Sequence, residues 1–179
     1  MHEIEVKILN IDSDGIVKAL ESIGARKIQD TKLMVQWFRK DGFKEDQDPW
    51  FLRIRLNSEG KTEVTWKSRP EKVGIAKKVR EINFAADDPG ILANFFEAIG
   101  LVKYAYQEKF RKSWDYKDWR FDLDQYPNMP AYLEIEGRDE EHIKEAIGLL
   151  NLGNHQTSAE GERVLIQKEY NLNWHDMRF

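Results

Sequence analysis

Met1-His2-Glu3-Ile4-Glu5-Val6-Lys7-Ile8-Leu9 opens the chain with charged side chains at every second position and aliphatic ones between them. Residues i, i+2 and i+4 of an extended strand share a face. Glu3, Glu5 and Lys7 therefore lie on one side, with Ile4, Val6 and Ile8 on the other. The same rule recurs downstream. Arg53 and Arg55 alternate with Leu52, Ile54 and Leu56, and Thr65 and Lys67 with Val64 and Trp66. Lys109 and Arg111 flank Phe110; Arg120, Asp122 and Asp124 alternate with Phe121 and Leu123; Glu134 and Glu136 alternate with Leu133 and Ile135. Any sheet with one wet face alternates in this way. A wet face does not account for the repeated same-sign pairs, because like charges on one face repel unless a ligand or ion relieves them.

Strands are expected at Glu3–Leu9, Val35–Arg39, Trp50–Leu56, Thr62–Lys67, Lys78–Phe84, Glu108–Trp114, Trp119–Leu123 and Tyr132–Glu136, with hairpins around Gly60 and Asp118. Three segments carry apolar residues at helical spacing and end near a glycine. The first is capped by Asp12 or Ser13 and stops at Gly24; the second runs from Asp87-Asp88-Pro89 to Gly100; the third runs from Asp139 to before Gly153. Helices need apolar surface to cover, and the Ile/Val/Leu face of the strands offers it. If the helices clad that face and the sheet closes, the charged face points inward. The expected fold is α+β, a β-barrel flanked by helices. No linker interrupts residues 1–179, so one domain is expected. The loop 40–49 and the stretch 67–76 are expected to be the most mobile segments.

Composition narrows the function. The 179 residues include 28 Lys+Arg and 32 Asp+Glu, a net charge of −4, without the basic excess of a nucleic-acid binder. Cysteine is absent, which removes disulfides, thiolate metal sites and cysteine nucleophiles and agrees with a cytoplasmic location. No signal-peptide pattern and no apolar run of roughly 18 residues is present, so no membrane partner is expected. The four histidines, His2, His142, His155 and His175, show no zinc spacing.

Acid pairs on neighbouring strands make an oxygen-ligand site for Mg²⁺ or Mn²⁺. Arginines and lysines around them suit a polyanion, since Arg offers paired donors to phosphate oxygens. Metal, basic cage and low-dielectric walls together suit phosphoryl transfer.

Glu3-Ile4-Glu5-Val6-Lys7 resembles the Glu-x-Glu-x-Lys signature of the CYTH family, the triphosphate tunnel metalloenzymes. The resemblance continues in the family's order through Arg53-Ile54-Arg55, Thr65-Trp66-Lys67, Arg80-Glu81, Lys109-Phe110-Arg111, Asp122-Leu123-Asp124 and Leu133-Glu134-Ile135-Glu136-Gly137. It implies a single CYTH domain over 1–179, built as an eight-stranded antiparallel barrel whose tunnel is open at both ends and binds a triphosphate with Mg²⁺ or Mn²⁺. It further implies Glu3, Glu5, Asp122, Asp124, Glu134 and Glu136 as metal-site carboxylates, and Lys7, Arg53, Arg55, Lys67, Lys109 and Arg111 as the triphosphate cage. The resemblance also implies Glu5, Lys7 and Glu136 as the catalytic set. Alternation turns Glu81 inward and Arg80 outward, because Ile82 and Phe84 suit the outer face.

Two departures from the family pattern concern the choice of reaction. Only Met1 and His2 precede the motif, whereas the cyclase branch commonly has a His-Phe pair there. The second strand reads Val35-Gln36-Trp37-Phe38-Arg39, without the tyrosine flanked by aspartates that many members carry. The expected activity is metal-dependent hydrolysis of a triphosphate (inorganic, thiamine or nucleoside). Class IV adenylyl cyclase and a non-catalytic polyphosphate-binding module are the alternatives. A triphosphate-containing small molecule and a second copy, forming a homodimer, are the candidate partners. The tail after Gly153, including Glu162-Arg163 and Trp174–Phe179, carries no assignable motif.

Overall fold

The computed structural model describes residues 2–44 and 47–179; of the loop 40–49, positions 45 and 46 lie outside the described residues, as does residue 1. Among the described residues, eleven strands and three full helices follow one another: β1 His2–Ile8, α1 Ser13–Ser22, β2 Arg26–Lys40, β3 Trp50–Asn57, β4 Thr62–Ser68, β5 Glu71–Val73, β6 Ala76–Ala86, α2 Pro89–Ala98, β7 Leu101–Tyr116, β8 Trp119–Gln125, β9 Tyr132–Gly137, α3 Glu140–Leu149, β10 Thr157–Ser158 and β11 Asp176–Met177. A short helix α4, Glu162–Val164, runs on into a π-helical turn at Leu165–Glu169.

Eight strands close into an antiparallel barrel in the order β1-β9-β8-β7-β2-β3-β4-β6, with β6 returning to β1. Closure depends on β6, which pairs with β1 through Lys77–Arg80 and with β4 through Glu81–Ala86. Both expected hairpins are present, β3–β4 turning through Gly60 at φ 81° and β7–β8 through Lys117 at φ 51°.

The helices start and stop as their ends dictate. Asp88 accepts hydrogen bonds from the Gly90 and Ile91 amides at 2.7 and 3.0 Å, and Asp139 accepts one from His142 at 2.8 Å, which satisfies amides that have no partner within the helix. Gly24 and Gly100 sit at φ 78° and 85°, where a side chain would be strained. Helix α3 ends at Leu149, before Gly153 as expected, and Asn151 makes the left-handed exit at φ 56°.

As expected, α1 and α3 cover the aliphatic outer face. Their Ile16, Leu20, Ile143 and Ala146 pack with Val6, Ile8, Phe121, Leu133 and Ile135. Helix α2 covers Phe38, Ile54 and Val64 through Phe96. Strands β2 and β7 are far longer than the alternation suggests. They pair with each other from Arg26 to Lys40, with irregularities at Lys27/Gln29 and Trp37/Phe38 that break the two-residue period.

The tail closes much of one end of the barrel, where the family resemblance implies an opening. Leu165, Ile166, Trp174 and Met177 pack against Leu9, Leu33, Val35, Trp37, Tyr126 and Tyr132. Burying each large apolar side chain contributes about 1.5–3 kcal/mol against the entropy of ordering the segment. The Gln107 side chain ties the plug to the wall, donating to the Trp174 carbonyl at 2.6 Å and accepting from the Trp37 indole at 2.8 Å.

Candidate functional site

Strand register assembles the interior. Glu5 faces Glu136 and Lys7 faces Glu134 across β1–β9; Asp122 faces Glu134 across β8–β9; Glu5 faces Lys77 across β1–β6. Lys67 faces Glu81, Arg55 faces Glu63, and Arg111 faces Asp124. Opposed side chains on one face stand close enough to interact. The interior is therefore a lattice of facing charges around a cavity of about 370 Å³. A second, more open cavity lies at the mouth formed by Arg26, Asp118, Arg120 and Arg138.

Two acidic groups stand out. Glu3, Glu5 and Glu136 each bring a carboxylate oxygen within 4.8 Å of the others, and so do Asp124, Glu134 and Glu162. Their surroundings differ. The second group is threaded by cations: Lys109 reaches Asp124 at 2.8 Å and Glu162 at 2.5 Å, Lys7 reaches Glu134 at 2.9 Å, and Arg111 makes a two-point contact with Asp124 at 2.6 Å on each oxygen. Arg111 also bonds Asp122 at 2.5 Å and Glu134 at 3.1 Å. In the first group Lys67 holds Glu3 at 2.5 Å and Glu81 at 2.6 Å, while Lys77 holds Glu5 at 2.6 Å. Glu136 makes no ion pair with any described residue.

The electrostatics follow. Burial, then the Glu5, Asp122 and Glu134 charges, push the Glu136 carboxyl up to about 7. Burial and Glu5 also push Glu3 upward, against the pull of Lys67. Burial opposes ionisation of Glu5, but Lys77, Lys7 and Lys67 outweigh it and hold that carboxyl well below the usual range. Lys77 is drawn below the ordinary lysine value by burial despite Glu5, because Lys7 and Lys67 crowd the same acids. Burial likewise opposes the charge on Lys7, and Glu134 and Glu5 reverse it.

Arg53 is the cationic counterpart of Glu136. Its guanidinium lies 5.3 Å from the centroid of the Trp37 ring, its Nε is buried without an acceptor among the described residues, and it makes no ion pair with any of them. Glu162 and Glu81 act on Arg53 at longer range and outweigh its burial, whereas the half-buried Glu136 is crowded by the like charges of Glu5, Asp122 and Glu134.

Of the expected cage, Arg53, Arg55, Lys67 and Arg111 line the cavity, whereas Lys7 and Lys109 are buried in the wall behind it. Of the expected metal-site acids, Glu3, Glu5, Asp122, Glu134 and Glu136 line the cavity, and Asp124 lies in the wall between Lys109 and Arg111. Glu81 points inward to Lys67 and Arg80 outward, as alternation indicates. Lys77, Glu63 and Glu162 are interior groups that the sequence reading left out. Lys77 shares parity with Glu81, so extending the strand one residue toward the N-terminus would have found it. Glu63 shares parity with Thr65 and Lys67. No local signal marks Glu162, which reaches Lys109 across 53 residues of chain. Arg163 lines the cavity beside it.

The Glu3, Glu5 and Glu136 set offers hard oxygen donors only, in the mouth of a cationic cavity, and so fits Mg²⁺ or Mn²⁺. The Asp124, Glu134 and Glu162 set fits less well, since its oxygens already bond Lys7, Lys109 and Arg111.

Solved structures share this architecture. A conserved hypothetical protein of Pyrococcus furiosus aligns at 17% identity over 89% of this chain and 97% of its own, with a TM-score of 0.75. The PH1012 protein of Pyrococcus horikoshii OT3 aligns at 23% identity over 86% and 94%, with a TM-score of 0.72. HpAC1 of Hippeastrum, a candidate adenylyl cyclase that reveals a dominant triphosphatase activity, aligns at 15% identity over 96% and 97%, with a TM-score of 0.68. No curated protein matches the chain. The CYTH domain model matches residues 1–157. That match covers every strand of the barrel and the charged positions those strands carry, leaving out Glu162 and Arg163 of the tail, and the chain belongs to the CYTH family.

Proposed function

We propose that this protein is a metal-dependent triphosphatase that hydrolyses a triphosphate held inside the barrel. The observation that carries the reading is the pairing, within one cavity, of a three-carboxylate group whose Glu136 makes no ion pair with a described residue and a cation wall whose Arg53 makes none and leaves its buried Nε without an acceptor among them. A polyanion satisfies the wall and a divalent cation satisfies the acids.

Arg53, Arg55, Lys67 and Arg111 bind the phosphate oxygens and hold the chain of phosphates along the cavity. Lys7 and Lys109 act from the wall, where their ion pairs hold Glu134 and Asp124 in place. Glu3, Glu5 and Glu136 would hold Mg²⁺ or Mn²⁺, which supplies charge neutralisation on the phosphates. Water attacks the γ-phosphorus, the bond to the bridging oxygen breaks, and the γ-phosphate leaves as orthophosphate. Glu136, which makes no ion pair with a described residue, is the interior acid suited to orient the attacking water by accepting its hydrogen bond.

The neighbour HpAC1 supports hydrolysis over cyclisation to the extent that a protein of this fold named for cyclase chemistry reveals a dominant triphosphatase activity. The test is orthophosphate release from tripolyphosphate by purified protein with Mn²⁺ or Mg²⁺. Release abolished by a chelator and restored by metal is expected. Metal-dependent binding without release would replace the enzyme reading with a binding module.

A further inference from the structure

Helix α2 differs from the other full helices in what it shows to solvent. Helices α1 and α3 turn apolar residues inward, whereas α2 buries Phe96 and leaves Ile91, Phe95 and Ile99 at 68%, 55% and 58% exposure. These three residues are four apart and form one ridge along the helix. The apolar surface continues onto the outer face of β6, where Ile82 and Phe84 are 46% and 51% exposed. Phe84 pairs with Val64, and Val64 packs with Phe96 beneath α2, so ridge and strand border one cluster.

At about 150–250 Å² per large side chain, the exposed fractions of these five residues amount to roughly 400–700 Å². The largest apolar patch on a typical monomer is about 300–600 Å². A standard interface buries about 800 Å² per partner, and when it joins identical chains about 65% of that area is apolar. The patch matches the apolar share of one such interface.

The ridge is also self-complementary. Ile91, Phe95 and Ile99 read the same from either end, so two copies of α2 crossing antiparallel about a two-fold axis bring Phe95 onto its own counterpart and Ile91 onto the counterpart of Ile99. Charge follows the same symmetry. Asp87 is exposed two residues before the helix and Lys103 is exposed five residues past its end, on β7, and neither makes an ion pair with a described residue. Antiparallel pairing sets the Asp87 end of one copy against the Lys103 end of the other.

We propose that this face is the two-fold interface between two copies of the chain, centred on Phe95. The experiment is sedimentation velocity on the full chain, whose monomer is 21.2 kDa, across concentrations spanning about 10 μM. Wild type should sediment as a dimer. Phe95→Asp, at an exposed position, should sediment as a monomer with an unchanged circular dichroism spectrum. Asp87→Lys should weaken the dimer by about tenfold or more, and adding Lys103→Asp should restore it, because the swap exchanges the two ends of each contact. A wild-type monomer throughout the range, a dimer that survives Phe95→Asp, or a charge swap that fails to restore association would each overturn the proposal. So would adsorption to lipid vesicles by a chain that does not self-associate.

Discussion

Replacing Lys77 with methionine separates the two halves of the proposed ligand. The ammonium of Lys77 lies 2.6 Å from Glu5 and competes for the carboxylate that a divalent cation would use. Metal binding to the free protein must therefore displace an ammonium, and a triphosphate that attracts the lysines lowers that cost. The two ligands are thus coupled, each raising the affinity of the other. A hydrogen bond to a charged group is worth about 1.5–3 kcal/mol, or roughly 10- to 100-fold in an equilibrium constant. Lys77→Met should accordingly raise the affinity for Mn²⁺ alone by roughly 10- to 100-fold. Tripolyphosphate should raise Mn²⁺ affinity less in the variant than in wild type. Electron paramagnetic resonance titration of metal-stripped protein, with and without tripolyphosphate, reads both quantities. Unchanged or weaker Mn²⁺ binding in Lys77→Met would refute the competition, and an undiminished effect of tripolyphosphate would refute the coupling.

Other expectations follow from the same interior. Glu136→Gln should abolish turnover and leave thermal unfolding no lower than in wild type, because it removes an uncompensated charge; full activity would contradict its metal role. Arg55→Ala should chiefly raise KM for tripolyphosphate in steady-state assays, since Arg55 lines the cavity and contacts Glu63. The folded carboxyl of Glu136 titrates near 7, above its ordinary value of 4.5, so the folded state binds the extra proton between those limits. Stability should then fall as pH rises from about 4.5 to about 7, and denaturant unfolding should show Glu136→Gln to be less pH-dependent over that window. Trp174→Ala should cost about 3–5 kcal/mol by emptying the plug, measured by denaturant unfolding.

The legible part of this protein was what strand alternation carries. Glu3, Glu5, Lys7, Arg53, Arg55, Glu134 and Glu136 sit on short strands with a clean two-residue period, and that period alone gives their common face. Glu81 was placed correctly by the apolar partners Ile82 and Phe84. Alternation could not tell the cavity lining from the wall. Lys7 and Lys109 obey the same parity as Arg53, yet they lie at the depth where the tail fills the barrel. The long strands β2 and β7 were underread because their irregularities shift the period midway. The plug itself was illegible, since Glu162 and Trp174 act through contacts with Lys109 and Gln107 far away in sequence. Local pattern reports which way a side chain faces, and only the fold reports what closes over it.

The most direct measurement of the central claim is the product distribution from ATP with Mn²⁺, followed alongside tripolyphosphate and thiamine triphosphate. A triphosphatase releases orthophosphate from at least one of the three, and from ATP it leaves ADP with no cyclic AMP. Cyclic AMP with stoichiometric pyrophosphate, or no product from any of the three, would contradict it.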